Sequence, residues 1–509
     1  MNNLFAGPYF KLDYLNSFVA LAIGLFFILT LVYSSKFMKG PASSIKYYAY
    51  IVLTAVASLG AVLTNNLILL LVFWGFLGLT LYLLINMGTA ASPAVAKKTF
   101  IIVGGTDALM LLGIGIIYYL TSTLQMDKIR LGLNNNLSLL AYICIACACF
   151  AKAGAMPFHS WIPDCAKVAP IPVVAYLPAS LDKLLGIYLL ARISLDLFIM
   201  NEAMNIFLML VGAFTIIAAV MMALVQHNAK RLLGYHAVSQ VGYMVLGIGT
   251  GNPIGIAGGI LHMLNNAVYK SCLFFTAGNV QSQTKTAELD ELGGLSKPMP
   301  ITYIACLVAS LSISGVPPFN GFVSKWMIYQ GLIEQLRVTD YWLRITAIVC
   351  LIAALFGSSL TLASFMKLIH ATFLGQRDNR IAAKRISEVS WLMWFPCVIL
   401  AAICIIFGVF ANQIPLKYFI LPAVPGVIFT GTWYAGLSTA LIVIGFILGI
   451  LVFNLKGLKP LLRPDTTFVG GETLDLGENK VSGTEFYNTI KELGVLRTIY
   501  KKAEAGVFD

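Results

Sequence analysis

The feature that most constrains this chain is a succession of apolar runs, each about 20 residues long, from residue 18 to residue 454. Runs of that length match the hydrocarbon thickness of a bilayer. Inside lipid every backbone N–H and C=O needs a partner within the protein, so such runs are read as helices. Thirteen spans are expected, at 18–35, 48–64, 66–87, 99–120, 137–156, 172–192, 203–225, 232–250, 254–279, 301–332, 344–374, 391–410 and 433–454. Composition agrees: the chain is 59% hydrophobic and 11% charged, against about 25% charged in soluble domains. The predicted fold class is an all-α polytopic membrane protein. Asn65 and Asn66 mark a tight turn between the second and third spans. Pro317 and Pro318 lie inside 301–332 and are expected to interrupt it.

The net charge of +12 is a matter of membrane orientation here, and nucleic acid is not expected as a partner. Taking loops on alternate sides, one side carries Lys36, Lys39, Lys46, Lys97, Lys98, Lys167, Lys230, Arg231, Lys285, Lys297, Arg377, Arg380, Lys384 and Arg385. The other carries Lys11, Lys128, Arg130, Arg192, Arg337 and Lys417. The richer side is expected in the cytoplasm. A cell-membrane protein is then expected with its N-terminus outside and its tail, 455–509, in the cytoplasm. The first residues lack the pattern of a cleaved signal peptide. In the tail, Phe486, Ile490, Leu493, Leu496 and Ile499 recur at roughly helical spacing, which suits a helix lying on the bilayer or on a partner subunit.

Nine cysteines include Cys144, Cys147 and Cys149, but these sit in an apolar stretch without the converging spacing of a zinc or iron–sulfur site. They read as small packing residues. No redox or metal cofactor is expected in this chain.

Function is sought instead in charges placed where lipid should be. Asp107, Lys152, Asp182, Lys183, His262, Lys270, Lys325, Lys367 and His370 all fall within the expected spans. An ionisable group at the bilayer centre costs at least about 2.5–3.5 kcal/mol, so such residues need partners or water. Taken singly, each has a bland explanation, such as snorkelling or one buried ion pair. That explanation suits Lys367 and His370, near a span end, better than Lys152, Lys183 and Lys325. Asp182 and Lys183 are sequence neighbours whose side chains point apart on a helix. A lysine alternating between burial and pairing can load and unload a proton, and an imidazole can relay one between its nitrogens.

Two helix breaks sharpen this. KAGAMPFHSWIPD places Lys152 five residues before Pro157, and SGVPPFNGFVSKW places Lys325 seven residues after Pro318. Broken helices are tolerated in membranes where protein or water satisfies the freed backbone. The lysines lie on opposite sides of their breaks, as in an inverted repeat. The expected organisation is an N-terminal segment and first helix (1–47), a first five-helix bundle (48–192), a second (203–374), two further helices (391–454) and the tail.

With these segments in view, the chain resembles the antiporter-like membrane subunits shared by respiratory complex I, multisubunit sodium/proton antiporters and energy-converting membrane hydrogenases. The resemblance runs from about residue 11 to residue 375. KAGAMPFHSWIPDCAKVAPIPVVAYLPASLDKLLGIYLLAR matches the stretch carrying two membrane lysines, here Lys152 and Lys183. HMLNNAVYKSCLFFTAG matches the histidine–lysine helix, giving His262 and Lys270. GVPPFNGFVSKW gives Lys325, KKTFIIVGGTDALMLLGIG gives Asp107, and KRLLGYHAVSQVGYMVLG is similar to the segment entering the second bundle. The resemblance implies two inverted five-helix bundles, a central hydrophilic axis, and translocation of protons or sodium driven by redox chemistry elsewhere. It also implies partners: neighbouring antiporter-like and other membrane subunits and, indirectly, a peripheral hydrogenase or oxidoreductase arm. AKKTFIIVGGTDALML, LPASLDK and the tail FVGGE...GTEFYNTI are most similar to the hydrogenase-associated branch. Complex I proper, an antiporter complex and a structural subunit with a vestigial first half stay open as alternatives.

The sequence departs from the family pattern in three places. Gly75 stands where a glutamate usually follows Phe-Trp, Asn266 replaces a second histidine, and two N-terminal helices are expected to be missing. With no carboxylate at 75, Asp107, or another carboxylate from a neighbouring helix or subunit, is expected to reach Lys152 instead, and Asp107 is the first choice because it belongs to the same expected bundle.

Overall fold

In a computed structural model, residues 3–38, 43–377, 381, 385–429, 434–454, 483–492 and 494–504 are described. The polar stretch 455–482, and Lys39, Arg380 and Lys384 of the basic loops, lie outside them. The described residues are overwhelmingly helical, as the apolar runs require, and the protein is a multi-pass membrane protein. Its helices are α1 (Tyr14–Phe37), α2 (Ser43–Leu63), α3 (Leu67–Ile85), α4 (Ser92–Thr121), α5 (Asn136–Ala153), α6 (Trp161–Val168), α7 (Ile171–Tyr176) and α8 (Asp182–Arg192). They continue with α9 (Glu202–Leu224), α10 (Ala229–Gly249), α11 (Pro253–Thr284), α12 (Pro300–Ser314), α13 (Asn320–Gln335), α14 (Tyr341–Ile369), α15 (Trp391–Val409) and α16 (Ala435–Asn454).

Among the described residues nine helices are long and apolar enough to cross a membrane, fewer than the thirteen spans expected. The difference has physical causes. The span 301–332 is two helices, α12 and α13, parted around Pro317 and Pro318 as the prolines suggest. The expected span 433–454 is described as a shorter apolar helical stretch, Gly436–Leu451. The span 172–192, in contrast, is counted among the nine within Ile171–Leu197, although α7 ends at Tyr176, a five-residue π-turn follows at Leu177–Leu181 and α8 resumes at Asp182. Helices α10 and α11 are long but buried on nearly every side, so their polar groups face protein instead of lipid. The turn at Asn65–Asn66 is present, with the Asn66 side chain capping α3 by accepting from the N–H groups of Ile68 and Leu69.

Two glycines shape the broken helices. Gly154 ends α5 with φ +85° and Gly315 ends α12 with φ +80°, a left-handed cap that a side chain would strain. Each sits at the same place in a short parallel, GAMPF at 154–158 and GVPPF at 315–319. A third glycine, Gly186 on α8, brings α8 against α5: a Cβ there would stand 2.7 Å from the Ala153 nitrogen and 2.8 Å from the Cys149 oxygen. Close backbone approach through a small residue is the usual way membrane helices pack.

Beyond α14, the tail supplies a ten-residue 3₁₀ segment, Gly483–Glu492, and a helix, Gly494–Glu504. Both are strongly amphipathic, and the segment packs on the end of α14 and the loop at Leu289–Glu291.

Candidate functional site

The two lysine-bearing helix breaks create the site. At the end of an α-helix the last carbonyls have no partner within the helix and carry partial negative charge. Lys183 on α8 donates to the Ala153 carbonyl at the end of α5, at 2.9 Å. Lys325 on α13 donates to the Ile313 carbonyl at the end of α12, also at 2.9 Å. Thus each break turns a helix C-terminus into a seat for an ammonium group. Lys367 follows the same rule on α9, donating to the Leu224 and Gln226 carbonyls at 2.7 and 2.9 Å. Lys270 donates to the Leu233 carbonyl on α10 at 2.9 Å. Lys152, Lys183 and Lys270 are fully buried and Lys325 nearly so.

In the first half, Lys152 is 3.7 Å from Asp182 and stands over the Trp74 ring at 5.5 Å. This corrects the first choice of Asp107: the carboxylate that approaches Lys152 comes from another neighbouring helix. Lys152 and Asp182 come from adjacent helices that Gly186 lets approach, so the carboxylate next to Lys183 in sequence pairs across the helix interface instead. Asp107 is half-buried on α4, within electrostatic reach of Lys152. Gly75 does not leave a gap facing Lys152. It is exposed, nothing lies within 4 Å of where its Cβ would be, and the neighbouring Trp74 fills the inward position.

Between the halves, Lys183 and Lys270 lie within electrostatic reach of each other. Asn266 is buried one turn before Lys270, with its amide 3.4 Å from the Ala179 carbonyl. Lys270 stands over the Phe365 ring at 5.6 Å, and the same ring packs on His236 at 4.7 Å. His236 is fully buried, with Nε2 2.7 Å from the Ser364 hydroxyl. It fills the gap between Lys270 and Lys325, with both lysines in electrostatic reach.

In the second half, His262 contacts Ser324 through Nδ1 at 2.8 Å and Gln240 through Nε2 at 3.1 Å. A neutral ring donating from Nε2 to the Gln240 oxygen and accepting at Nδ1 from Ser324 satisfies both contacts. Lys325 lies over the Tyr243 ring at 4.7 Å and donates to the Ser358 hydroxyl at 2.8 Å, and Tyr329 bonds the same hydroxyl at 3.1 Å. Ser358 is half-buried, so this end of the row reaches the periphery of the chain.

Of the nine residues singled out from the sequence, Lys152, Asp182, Lys183, Lys270, His262 and Lys325 fall along one buried polar row, with half-buried Asp107 at its edge. Sequence reasoning missed His236, Gln240, Ser324 and Ser358. A signal for the first two was present, since His236 and Gln240 are four residues apart in one apolar helix and so share a face. Among the described residues no group of three or more His, Cys, Asp or Glu side chains is placed to hold a metal ion.

Comparison with known proteins agrees with this architecture. The family described as NADH:quinone oxidoreductase/Mrp antiporter, TM, matches residues 64–353. The chain is 32% identical over 405 residues to the Na(+)/H(+) antiporter subunit A1 of Staphylococcus epidermidis, covering 75% of this chain and 50% of that protein. It thus spans about half the length of that relative. It is 31% identical over 414 residues to NADH-quinone oxidoreductase subunit N of Desulforudis audaxviator, covering 77% of this chain and 80% of the relative. Among solved structures, a chain of the archaeal membrane-bound sulfane sulfur reductase superposes with TM-score 0.79 at 23% identity, covering 99% of this chain and 85% of its own. A chain of the Mrp complex from Dietzia sp. gives 0.72 at 20% identity, covering 82% and 85%. The family match over more than half of the sequence, together with these identities, establishes that the chain belongs to the antiporter-like membrane subunit family of NADH:quinone oxidoreductases and Mrp antiporters.

Proposed function

We propose that this chain translocates protons as an antiporter-like subunit of a redox-driven membrane complex, an energy-converting hydrogenase or a related ferredoxin-linked enzyme. The observation that carries the reading is the row of buried ammonium and imidazole groups from Lys152 to Lys325, in which Lys152 pairs with Asp182 while Lys183, Lys270 and Lys325 are each seated on a backbone carbonyl. Such seats hold an ammonium without fixing its charge by a tight salt bridge. A proton moving along the row changes the charge of one lysine, and the next lysine responds through mutual repulsion.

Proton transport fits the side chains better than sodium transport. Hard cations take cages of oxygen ligands, whereas this row is rich in cationic groups, which repel a metal ion. A sodium path, as the name of the staphylococcal relative implies for that protein, is assigned here to a neighbouring subunit. The hydrogenase-type assignment is supported by the combination of AKKTFIIVGGTDALML, LPASLDK and the tail sequence. The basic bias of alternate loops supports an N-terminus outside and a cytoplasmic tail.

The test is ion uptake per electron transferred by the intact complex in inverted membrane vesicles, at varied sodium, with and without a protonophore. Acidification that is independent of sodium and collapsed by the protonophore is expected. Sodium uptake that persists with the protonophore present, without primary acidification, would overturn the proton reading.

A further inference from the structure

The row needs an entry from water, and one cavity lies in the right place. Between the start of α10 and the loop at 286–292 is a space of about 20 Å³, enough for one water molecule. Its inner wall includes Leu233, whose carbonyl accepts from Lys270. Its outer wall includes Thr286 and Ala287, which are half-buried at the face carrying Lys230, Lys285 and Lys297. Thr276, Thr372 and Cys306 line it between these ends. A buried water needs two to four polar partners; the lining is otherwise mostly apolar, and its three threonine oxygens can accept, Thr276 and Thr286 already donating to the Leu273 carbonyl and to Glu291.

Beside the mouth, the 286–292 loop is held by a specific contact. Asp290, at the edge of the loop, binds the His227 Nδ1 at 2.8 Å through one oxygen and the Thr484 hydroxyl through the other. Thr484 belongs to the tail segment Gly483–Glu492, which also packs on the π-turn His370–Leu374 that contributes Thr372. Tyr487 adds a hydrogen bond to the Ala363 carbonyl at 3.3 Å.

We propose that this cavity is the water entry to Lys270 and that the tail, through Thr484 on Asp290, controls its opening. The proposal deepens the transport reading and rests on it, but water access is measurable without transport. Cys306 is a native reporter inside the cavity. In the intact complex, sealed vesicles of each orientation are treated with 2-aminoethyl methanethiosulfonate, and labelling is quantified by peptide mass spectrometry with buried Cys149 and Cys404 as references. Labelling of Cys306 is expected only from the face carrying Lys230 and Lys285.

Thr484→Ala is expected to raise the labelling rate about threefold or more by easing local opening. Ala287→Leu, which fills space meant for a single water, is expected to lower it about tenfold. The near-isosteric pair Thr276→Val and Thr372→Val is expected to lower it too, and guards against misfolding of the bulkier variant. Equal labelling in both vesicle orientations would overturn the proposal. So would a rate unchanged by both Ala287→Leu and the valine pair, or a Thr484→Ala rate equal to wild type. Restricted access that responds to these variants in a complex that moves no protons would preserve the entry and sink only the transport reading.

Discussion

The two broken helices hold their lysines by different physics. In the first half Lys152 faces the carboxylate of Asp182 at 3.7 Å, with the Asp107 carboxylate also in electrostatic reach. In the second half Lys325 faces no carboxylate among the described residues. It is held by the Ile313 carbonyl, the Ser358 hydroxyl and the face of Tyr243. A charge pair is strong but sensitive to loss of either member. A seat of neutral dipoles is weaker at each contact but tolerates the lysine in either protonation state. The two halves therefore differ in how firmly the charge of their lysine is fixed.

That contrast can be broken most directly at Asp182. Asp182→Asn leaves Lys152 without its charge partner and is expected to destabilise the subunit by about 3–5 kcal/mol, read as a lowered melting temperature of the complex. Adding Lys152→Met should restore most of that loss. If the double variant is as unstable as the single one, the two residues do not act as a pair.

A smaller effect is expected at the outer edge of the first half. Arg192 on α8 holds Asp13, the N-cap of α1, with contacts of 2.8 and 3.0 Å, and also binds Asp196 at 2.6 Å. Burial pushes the Asp13 carboxyl up, but Arg192, the Asn16 N–H and Lys11 together bring it below its usual value. A depressed carboxyl stabilises the fold above its unfolded pKa of about 4 and loses that contribution as pH falls through the folded value. Asp13→Asn should thus cost about 1–3 kcal/mol at neutral pH, with the difference from wild type shrinking below about pH 4. A constant difference across that range would remove Asp13 from the acid response.

Smaller still is the effect expected of Ser358→Ala. It removes one neutral partner of Lys325 and should cost about 1 kcal/mol, because the Ile313 carbonyl and the Tyr243 face remain. A loss as large as that of Asp182→Asn would erase the distinction between the halves. The smallest effect is expected of Gly75→Ala. The position is exposed and open midway along α3, so an added methyl group should stay within about 0.5 kcal/mol in stability and leave transport intact. Loss of transport in this variant would mean that position 75 does bear on Lys152.

Much of this site was legible in the sequence because ionisable residues in apolar helices are conspicuous against their surroundings. Lys152, Lys183, Lys270 and Lys325 stand out for that reason, and the prolines at 157, 317 and 318 mark the breaks that seat two of them. The pairing was not legible. Whether Lys152 meets Asp107 or Asp182 depends on how closely α5 and α8 approach, which Gly186 decides through a tertiary contact. The direction of Gly75 was hidden too, since adjacent residues on a helix face different sides and only the packing of α3 tells which of Trp74 and Gly75 turns inward. Helices α10 and α11 carried a mixed signal. Their polar residues lower the apolar average of a lipid-facing span, because the surrounding helices cover them.

The central claim is that one continuous row crosses both halves of the chain. Proton uptake per electron in inverted vesicles of the intact complex tests it, with Lys152→Ala and Lys325→Ala compared side by side. The account predicts that each variant assembles normally and that each loses most of the uptake attributable to this subunit. Wild-type uptake in Lys152→Ala, with severe loss only in Lys325→Ala, would contradict it and leave the second half as the sole working part.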